Sequence, residues 1–495
     1  MPSSPSEDAS DTTTEDLLGS SAAGPKALRG GALRGLGYVI SIGLSLISVP
    51  LLIRHLGIVG FGRYMTVIGI VTIANGLTDA GLANITLREW STTRGSERTM
   101  MMRSLLGIRL ELSALGVLVA VGFSAIAGYD HVLVLGTAIA GVGLSMQAIC
   151  DVLTVALQGE LRFGWAAVID ISRQALSVAL IVTLVLAGRG VLAFWAVTIP
   201  AGLVTVAVAA RLVHGRMPLI PRWRDPRWWP LVRAALPYSA ALALNTLYFR
   251  VTLVVMSLSA SAHQTGYFAT SFQVTQVLVG VPALAISAAF PILARSASDD
   301  TARFARAASR ILELAITVGV LLVLGVVLCA PFIVAVIAGA QGHPAVVVLQ
   351  IQGIALFATF VSMATGFVLL ALRRNEALLI SNAAALVANI VLTLVLVPLL
   401  QARGAAIAAV VAESCLAGVQ LFMVTRHVAV QISLGSIAVP LLGGVLGAAL
   451  LLVPDLPSIA RTAIGAIVYV GVLAAFRRIP PEIGHALDRR PAAVR

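Results

Sequence analysis

Apolar runs recur along almost the whole chain, separated by short stretches rich in arginine, glycine and proline. A helix that crosses a bilayer needs about 20 apolar residues at a rise of 1.5 Å each. The runs between residues 34 and 476 predict about fourteen such helices. The first two fall near 34–53 and 64–86, the seventh and eighth near 231–258 and 266–293, and the eleventh and twelfth near 377–400 and 404–425. One polar connection, Arg211 to Arg233, is longer than the rest and contains three prolines before Trp228-Trp229. It reads as a linker between two halves; an interfacial helix would suit the same basic and aromatic residues. The expected organisation is an all-α polytopic membrane protein. It has a polar tail (1–25), a six-helix bundle (26–214), a linker (215–230), a second six-helix bundle (231–430), two extra helices (431–478) and a C-terminal tail (479–495).

Composition agrees with this reading. Hydrophobic residues make up 59% and charged residues 11%, with mean hydropathy +0.97, against about 25% charged residues in a soluble domain. Net charge +12 would fit nucleic acid, but the arginines sit in short loops, where they set orientation. With the N-terminus in the cytosol, 28 of the 34 basic residues fall on the inner side, five on the outer side, and Arg250 lies within a span. Fourteen spans with both termini cytosolic follow from that alternation. Residues 1–25 are acidic and poor in apolar groups, so they are expected to be disordered. No short apolar segment with a small-residue cleavage site precedes the first run, so no removable signal peptide is expected. Cys150, Cys329 and Cys415 all lie in apolar runs, with neither disulfide nor metal spacing, and no cofactor motif is present.

Three landmarks suggest an internal repeat. Gly62-Arg63-Tyr64 opens the second run and Gly266-Tyr267 the eighth; Ala156-Leu157 closes the fourth and Ala371-Leu372 the tenth; Arg189-Gly190 and Arg403-Gly404 open the sixth and twelfth. A shift of six helices preserves orientation, so the halves are expected to be related by an axis along the membrane normal, with a cavity between them. Arg250 stands out within this frame. Counted from Leu236, it lies about 21 Å along the seventh helix, where a guanidinium costs about 2.5–3.5 kcal/mol unless it faces protein, water or substrate. Snorkelling to the outer headgroups is the competing account.

Three passages resemble the polysaccharide transporters, or lipid-linked oligosaccharide flippases, of the multidrug/oligosaccharidyl-lipid/polysaccharide exporter superfamily. They are Val49-Pro50-Leu51-Leu52-Ile53-Arg54-His55-Leu56-Gly57 with Gly60-Phe61-Gly62-Arg63-Tyr64 and Thr78-Asp79-Ala80-Gly81-Leu82; Gly266-Tyr267-Phe268-Ala269 with Val281-Pro282 and Phe290-Pro291; and Pro398-Leu399-Leu400-Gln401-Ala402-Arg403-Gly404 with Glu413. The resemblance implies a V-shaped pair of bundles around a cationic lumen in the bacterial cytoplasmic membrane. It also implies that an undecaprenyl-diphosphate-linked oligosaccharide is turned from the cytosolic to the outer leaflet for lipopolysaccharide or exopolysaccharide production, with glycan polymerases or glycosyltransferases as partners. Two departures stand out. Many relatives carry Arg-x-Asp where this chain has Arg250-Val251-Thr252, and a basic residue where it has Gln273. The missing acid argues against ion coupling at that spot, and the missing cation leaves Arg250 a less crowded anion site.

For such a substrate, arginine offers a diphosphate bidentate donors. Arg250, Arg109, Arg173 and Gln273 are therefore the substrate-binding candidates, and Arg109 and Arg173 lie on a path from the inner leaflet. Ion pairing competes as an explanation, because Asp170 precedes Arg173 by three residues and Glu111 lies near Arg109. Glu413, deep in the twelfth run, and Asp79, between Gly76 and Gly81, are the ion-coupling candidates. A hydrogen bond to a neighbouring helix is the alternative for Glu413, and a packing role for Asp79. Asn245 and Asn389 read as interhelical hydrogen-bond partners. Asp299-Asp300 reads as a solvated charge cluster. Three rival functions remain. A multidrug or metabolite cation antiporter would favour acids where Arg250 stands. A membrane glycosyltransferase or polymerase would carry acidic or His-rich motifs on a large loop, and a channel would show a filter-like repeat. No Walker A sequence is present.

Overall fold

In a bilayer every backbone polar group must be satisfied within its own segment or by a neighbour, and the chain meets that demand with helices. The computed structural model describes residues 23–79, 82, 86–87, 89–90, 93, 95–159, 162–215, 217–223, 228–299, 301–431, 433–453 and 456–478. The helices are α1 Ala23–Asp79, α2 Gly95–Ile126, α3 His131–Gly159, α4 Phe163–Leu186, α5 Val191–Ala196, α6 Thr198–Leu212, α7 Trp228–Ser259, α8 Ala262–Asp299, α9 Thr301–Ala338, α10 Ala345–Ala371, α11 Asn375–His427, α12 Leu434–Ala448 and α13 Ser458–Ala475. No strand occurs among the described residues. Of the expected disordered tail 1–25, residues 1–22 lie outside them and 23–25 instead begin α1; the tail 479–495, and Ala80, Gly81, Arg224–Arg227 and Asp300, also lie outside.

Ten helices are long and apolar enough to cross a membrane among the described residues, against the expected fourteen spans. The two longest of the ten are interrupted. α1 breaks at Gly57, whose φ of 68° suits a residue without a Cβ, and α11 breaks at Gln401, with φ of 53°. Both breaks fall between runs that the apolar pattern separates, 34–53 from 64–86 and 377–400 from 404–425. The linker is not an interfacial helix over residues 217–223. It docks on α2 instead, with the Arg222 amide donating to the Arg103 carbonyl at 2.9 Å and Arg103 Nε to the Ile220 carbonyl at 3.1 Å.

In the N-terminal half, α1 packs against α2, α3 and α4, and α3 against α2 and α6. In the C-terminal half, α10 packs against α8, α9 and α11, and α11 against α7. The last two helices, α12 and α13, pack on each other and on α9, where buried Tyr469 donates its hydroxyl to the Thr317 carbonyl at 2.7 Å.

The halves meet where α1 lies on α7 and α8. Three glycines at seven-residue spacing, Gly62, Gly69 and Gly76, lie on one face of α1. A Cβ at these positions would lie 2.9 Å from Gly266 Cα, 3.4 Å from the Leu253 side chain and 2.8 Å from the Thr246 side chain, respectively. Small residues let helix backbones approach closely in this way. The repeat-related glycines Gly62 and Gly266 therefore touch one another, and a Cβ on Gly266 would overlap the Ile58 carbonyl.

One hydrophobic core spans both halves near this end, joining Leu52, Phe61 and Met65 to Phe268, Phe272 and Val334. At the other end the cores are separate. One around Leu105, Leu153 and Val213 belongs to the first half, and one around Phe304, Leu369 and Val424 to the second.

Gly266→Val should force the seam apart at a cost of about 1–3 kcal/mol, seen as a lower melting temperature in detergent. Gly122→Val is the control, since a Cβ there meets nothing within 4 Å; equal effects of the two would refute the close packing.

Candidate functional site

The α7 residues Thr246, Arg250, Leu253 and Ser257 follow a spacing of four, three and four, so they share one face. Thr246 and Leu253 rest on the α1 glycines, and Ser257 Oγ lies 2.6 Å from Tyr129 Oη of the other half. Arg250 is thus presented toward the junction of the halves. Half-buried, it holds its guanidinium carbon 5.4 Å from the centroid of the Phe272 ring on α8, a cation–π arrangement that partly offsets lost hydration. No carboxylate pairs with Arg250 among the described residues. Gln273 follows Phe272 and is also half-buried.

The opposite face of the same turn is locked into the second half. Tyr248 and Thr252 are each 4% exposed. Asn389 of α11 donates from Nδ2 to the Tyr248 carbonyl at 3.2 Å and accepts from Thr252 Oγ1 at 3.1 Å. This is the interhelical role expected of Asn389; Asn245 is exposed instead.

Behind this turn lies a cavity of about 60 Å³, lined by Tyr248, Thr252, Gln352, Thr359, Asn389 and Glu413 among others, with room for a few waters. Glu413, 6% exposed, lies beside the side chains of Tyr248 and Thr359. Its Oε2 and Gln352 Oε1 are buried without a hydrogen-bond partner, which is costly unless something occupies the space between the walls.

The first half treats its charges differently. Arg109, 5% exposed, pairs through Nη1 with Asp79 Oδ1 at 2.5 Å and donates from Nε to the Ala148 carbonyl at 3.2 Å. Two candidates with separate expected roles, Arg109 for substrate and Asp79 for ion coupling, are thus brought together as a pair. Glu111, the expected competitor for Arg109, is exposed. Arg173 is half-buried, with its Nε buried and lacking a hydrogen-bond partner.

Sequence reasoning missed Asp151. It accepts from Gln147 Nε2 at 3.1 Å and lies within electrostatic reach of Arg109, Asp79 and Asp170. An acid inside the apolar run 132–157 was the available signal.

A second cavity, about 230 Å³, sits between the halves near Gly128, beside Tyr129, Ser257 and the Arg63–Asp130 ion pair.

The chain matches the family model described as polysaccharide biosynthesis protein over residues 27–297. In three dimensions it is similar to the lipid II flippase MurJ in an inward closed conformation, with TM-score 0.74 and 13% identity over 90% of this chain and 99% of that one. It is also similar to a multidrug resistance MATE family transporter of the MOP superfamily in an inward-facing conformation, with TM-score 0.63 and 15% identity over 79% and 94% of the two chains. A MOP superfamily transporter from Pyrococcus furiosus Vc1 aligns with TM-score 0.54 and 14% identity over 82% and 94%. No curated protein matches in sequence. At these identities the structural likeness establishes the fold.

Asp79→Asn would leave the Arg109 guanidinium buried without its counter-charge. A loss of about 1–3 kcal/mol is expected, measured as a drop in melting temperature that Asp79→Asn/Arg109→Gln partly restores. A single variant as stable as the parent would show that the pair contributes nothing.

Proposed function

Because the chain belongs to the polysaccharide biosynthesis protein family, whose model covers more than half of it, we propose that it is a flippase. Its cargo is a polyprenyl-diphosphate-linked oligosaccharide, moved from the inner to the outer leaflet of a bacterial cytoplasmic membrane. One observation carries this reading: a single guanidinium without a carboxylate partner among the described residues, at mid-span, on the face where the two halves meet. A diphosphate is the chemistry that such a group recognises, because charge-assisted hydrogen bonds to phosphate strengthen as water is excluded.

Access to both leaflets follows from rocking of the halves about their seam. The shared core lies at the end expected to face outward, and the separate cores at the basic, cytosolic end. That arrangement corresponds to a state closed outside, with the inner ends free to part. Both termini are cytosolic in this reading, and the fourteen spans count α1 and α11 as two each and α5 with α6 as one. Gln273, beside Phe272, and Arg173 line the headgroup's route, while Arg109 is held by Asp79 and supports it indirectly. Glu413, with an unpartnered oxygen beside a small cavity, is the group to carry a coupling proton or cation. Glycan polymerases or glycosyltransferases would use the product on the far side.

The multidrug antiporter reading draws on the similarity to the MATE transporter, but a cationic drug would be repelled by Arg250, which has no carboxylate partner among the described residues. Efflux of a cationic dye without glycolipid movement would favour it.

The deciding experiment follows the leaflet position of a fluorescent polyprenyl-diphosphate oligosaccharide in proteoliposomes. Arg250→Ala should slow transfer about 10- to 100-fold, the equivalent of one charge-assisted contact. Arg250→Lys should retain part of the rate, because lysine keeps the charge without the fork. Unchanged transfer by a well-inserted Arg250→Ala protein would remove this residue from the mechanism. Glu413→Gln should make transfer insensitive to an imposed ion gradient while leaving downhill equilibration intact; gradient-driven transfer at the parental rate would exclude the coupling role.

A further inference from the structure

Asn389 holds both ends of one helical turn. In an α-helix the carbonyl of residue 248 accepts from the amide of residue 252, and Asn389 bonds the Tyr248 carbonyl and the Thr252 hydroxyl together. Thr393 Oγ1, one turn along α11, donates to the same Asn389 oxygen at 3.3 Å, so the amide cannot flip without losing two acceptor contacts. Asn389 is 3% exposed and Thr393 fully buried. Arg250 is the midpoint of the clamped turn. At 100° per residue, positions 248 and 252 each stand about 200° from it, so the clamp grips the back of the helix while the guanidinium projects from the front.

We propose that Asn389, through Thr252, is a positioning residue for Arg250: it fixes the rotation of α7 that keeps the guanidinium at the junction of the halves. This rests on the reading of Arg250 as the phosphate-recognising group, and it adds a cause for its aim. A long cationic side chain on a freely rotating helix would swing toward the nearest headgroups, as the snorkelling alternative supposes. A hydrogen-bonded clamp inside the bundle, shielded from competing water, opposes that rotation.

Two measurements test it. The first is the half-saturating concentration for the fluorescent polyprenyl-diphosphate oligosaccharide in proteoliposomes. Asn389→Leu should raise it about 5- to 10-fold with the saturated rate little changed. Thr252→Val, nearly isosteric and expected to fold, should raise it in the same direction, and Thr252→Ser should restore it. In an Arg250→Ala background Asn389→Leu should add nothing, because a residue acting only through Arg250 has no further effect once Arg250 is gone. The same fold-change in both backgrounds, or a lower rate at unchanged half-saturation, would overturn the proposal.

The second measurement does not depend on the substrate. In a protein whose Cys150, Cys329 and Cys415 are replaced by alanine, Arg250→Cys should react with a charged methanethiosulfonate reagent, and adding Thr252→Val should slow the reaction several-fold. Equal rates, or no labelling in either protein, would overturn the positioning role. Arg250→Ala with both parental half-saturation and parental rate would instead defeat the phosphate reading and leave the labelling result to decide the clamp.

Discussion

Close approach of α1 to α7 and α8 is the constraint on which the rest of the structure depends. Lipid tails are as apolar as leucine, so two helical bundles in a membrane are not driven together by water, and their contact must come from fit. The glycines at 62, 69, 76 and 266 supply it by removing side chains where the backbones meet. Above this seam the apolar side chains of both halves merge into one core, and away from it each half keeps its own. A joint that is tight at one end and unshared at the other can tilt without either bundle unfolding, because each has an independent interior to keep its shape.

The two halves handle charge in opposite ways. In the first, Arg109 is neutralised by Asp79 and tied to a backbone carbonyl, so its charge is consumed inside the bundle. In the second, Arg250 meets an aromatic face and no acid among the described residues. Removing a carboxylate from beside an arginine would be destabilising if the site were dry and closed. The arrangement is tolerable where the guanidinium reaches water or an anionic headgroup. The contrast separates Arg109, whose charge is met by an acid, from Arg250, whose charge is not among the described residues, something that charge counting along the chain cannot do.

Much of this architecture was legible in the sequence, for a physical reason. Bilayer thickness imposes a length on every span, and that length is written in the apolar runs. The breaks at Gly57 and Gln401 fall in the gaps between them, and Arg250 stood out because a charge inside such a run needs an explanation. Contacts across helices were not legible, since periodicity gives the face a residue occupies but not the helix opposite it. Gly62 and Gly266 could be matched as repeat landmarks, yet nothing in their offset says that they touch. Asp79 and Arg109 were assigned separate tasks because they lie on different helices. Glu111 looked like the partner because it is near in sequence, but two positions along a helix point about 200° apart. Asp151 was overlooked although the rule that singled out Arg250 applies to it equally.

The turn Tyr248–Thr252 then takes on a significance that no single residue in it has. Its backbone is held by Asn389, the side chain of Tyr248 reaches Glu413, and Arg250 projects from its far side. A carboxyl with an unpartnered oxygen beside a small cavity changes its hydrogen bonding whenever a proton or cation comes or goes. In the proposed reading, a site for a small cation and a site for an anionic headgroup would share one element of five residues. Two ligands can influence each other only through an element whose state both of them bias, and in the proposed reading that element is a single turn of α7.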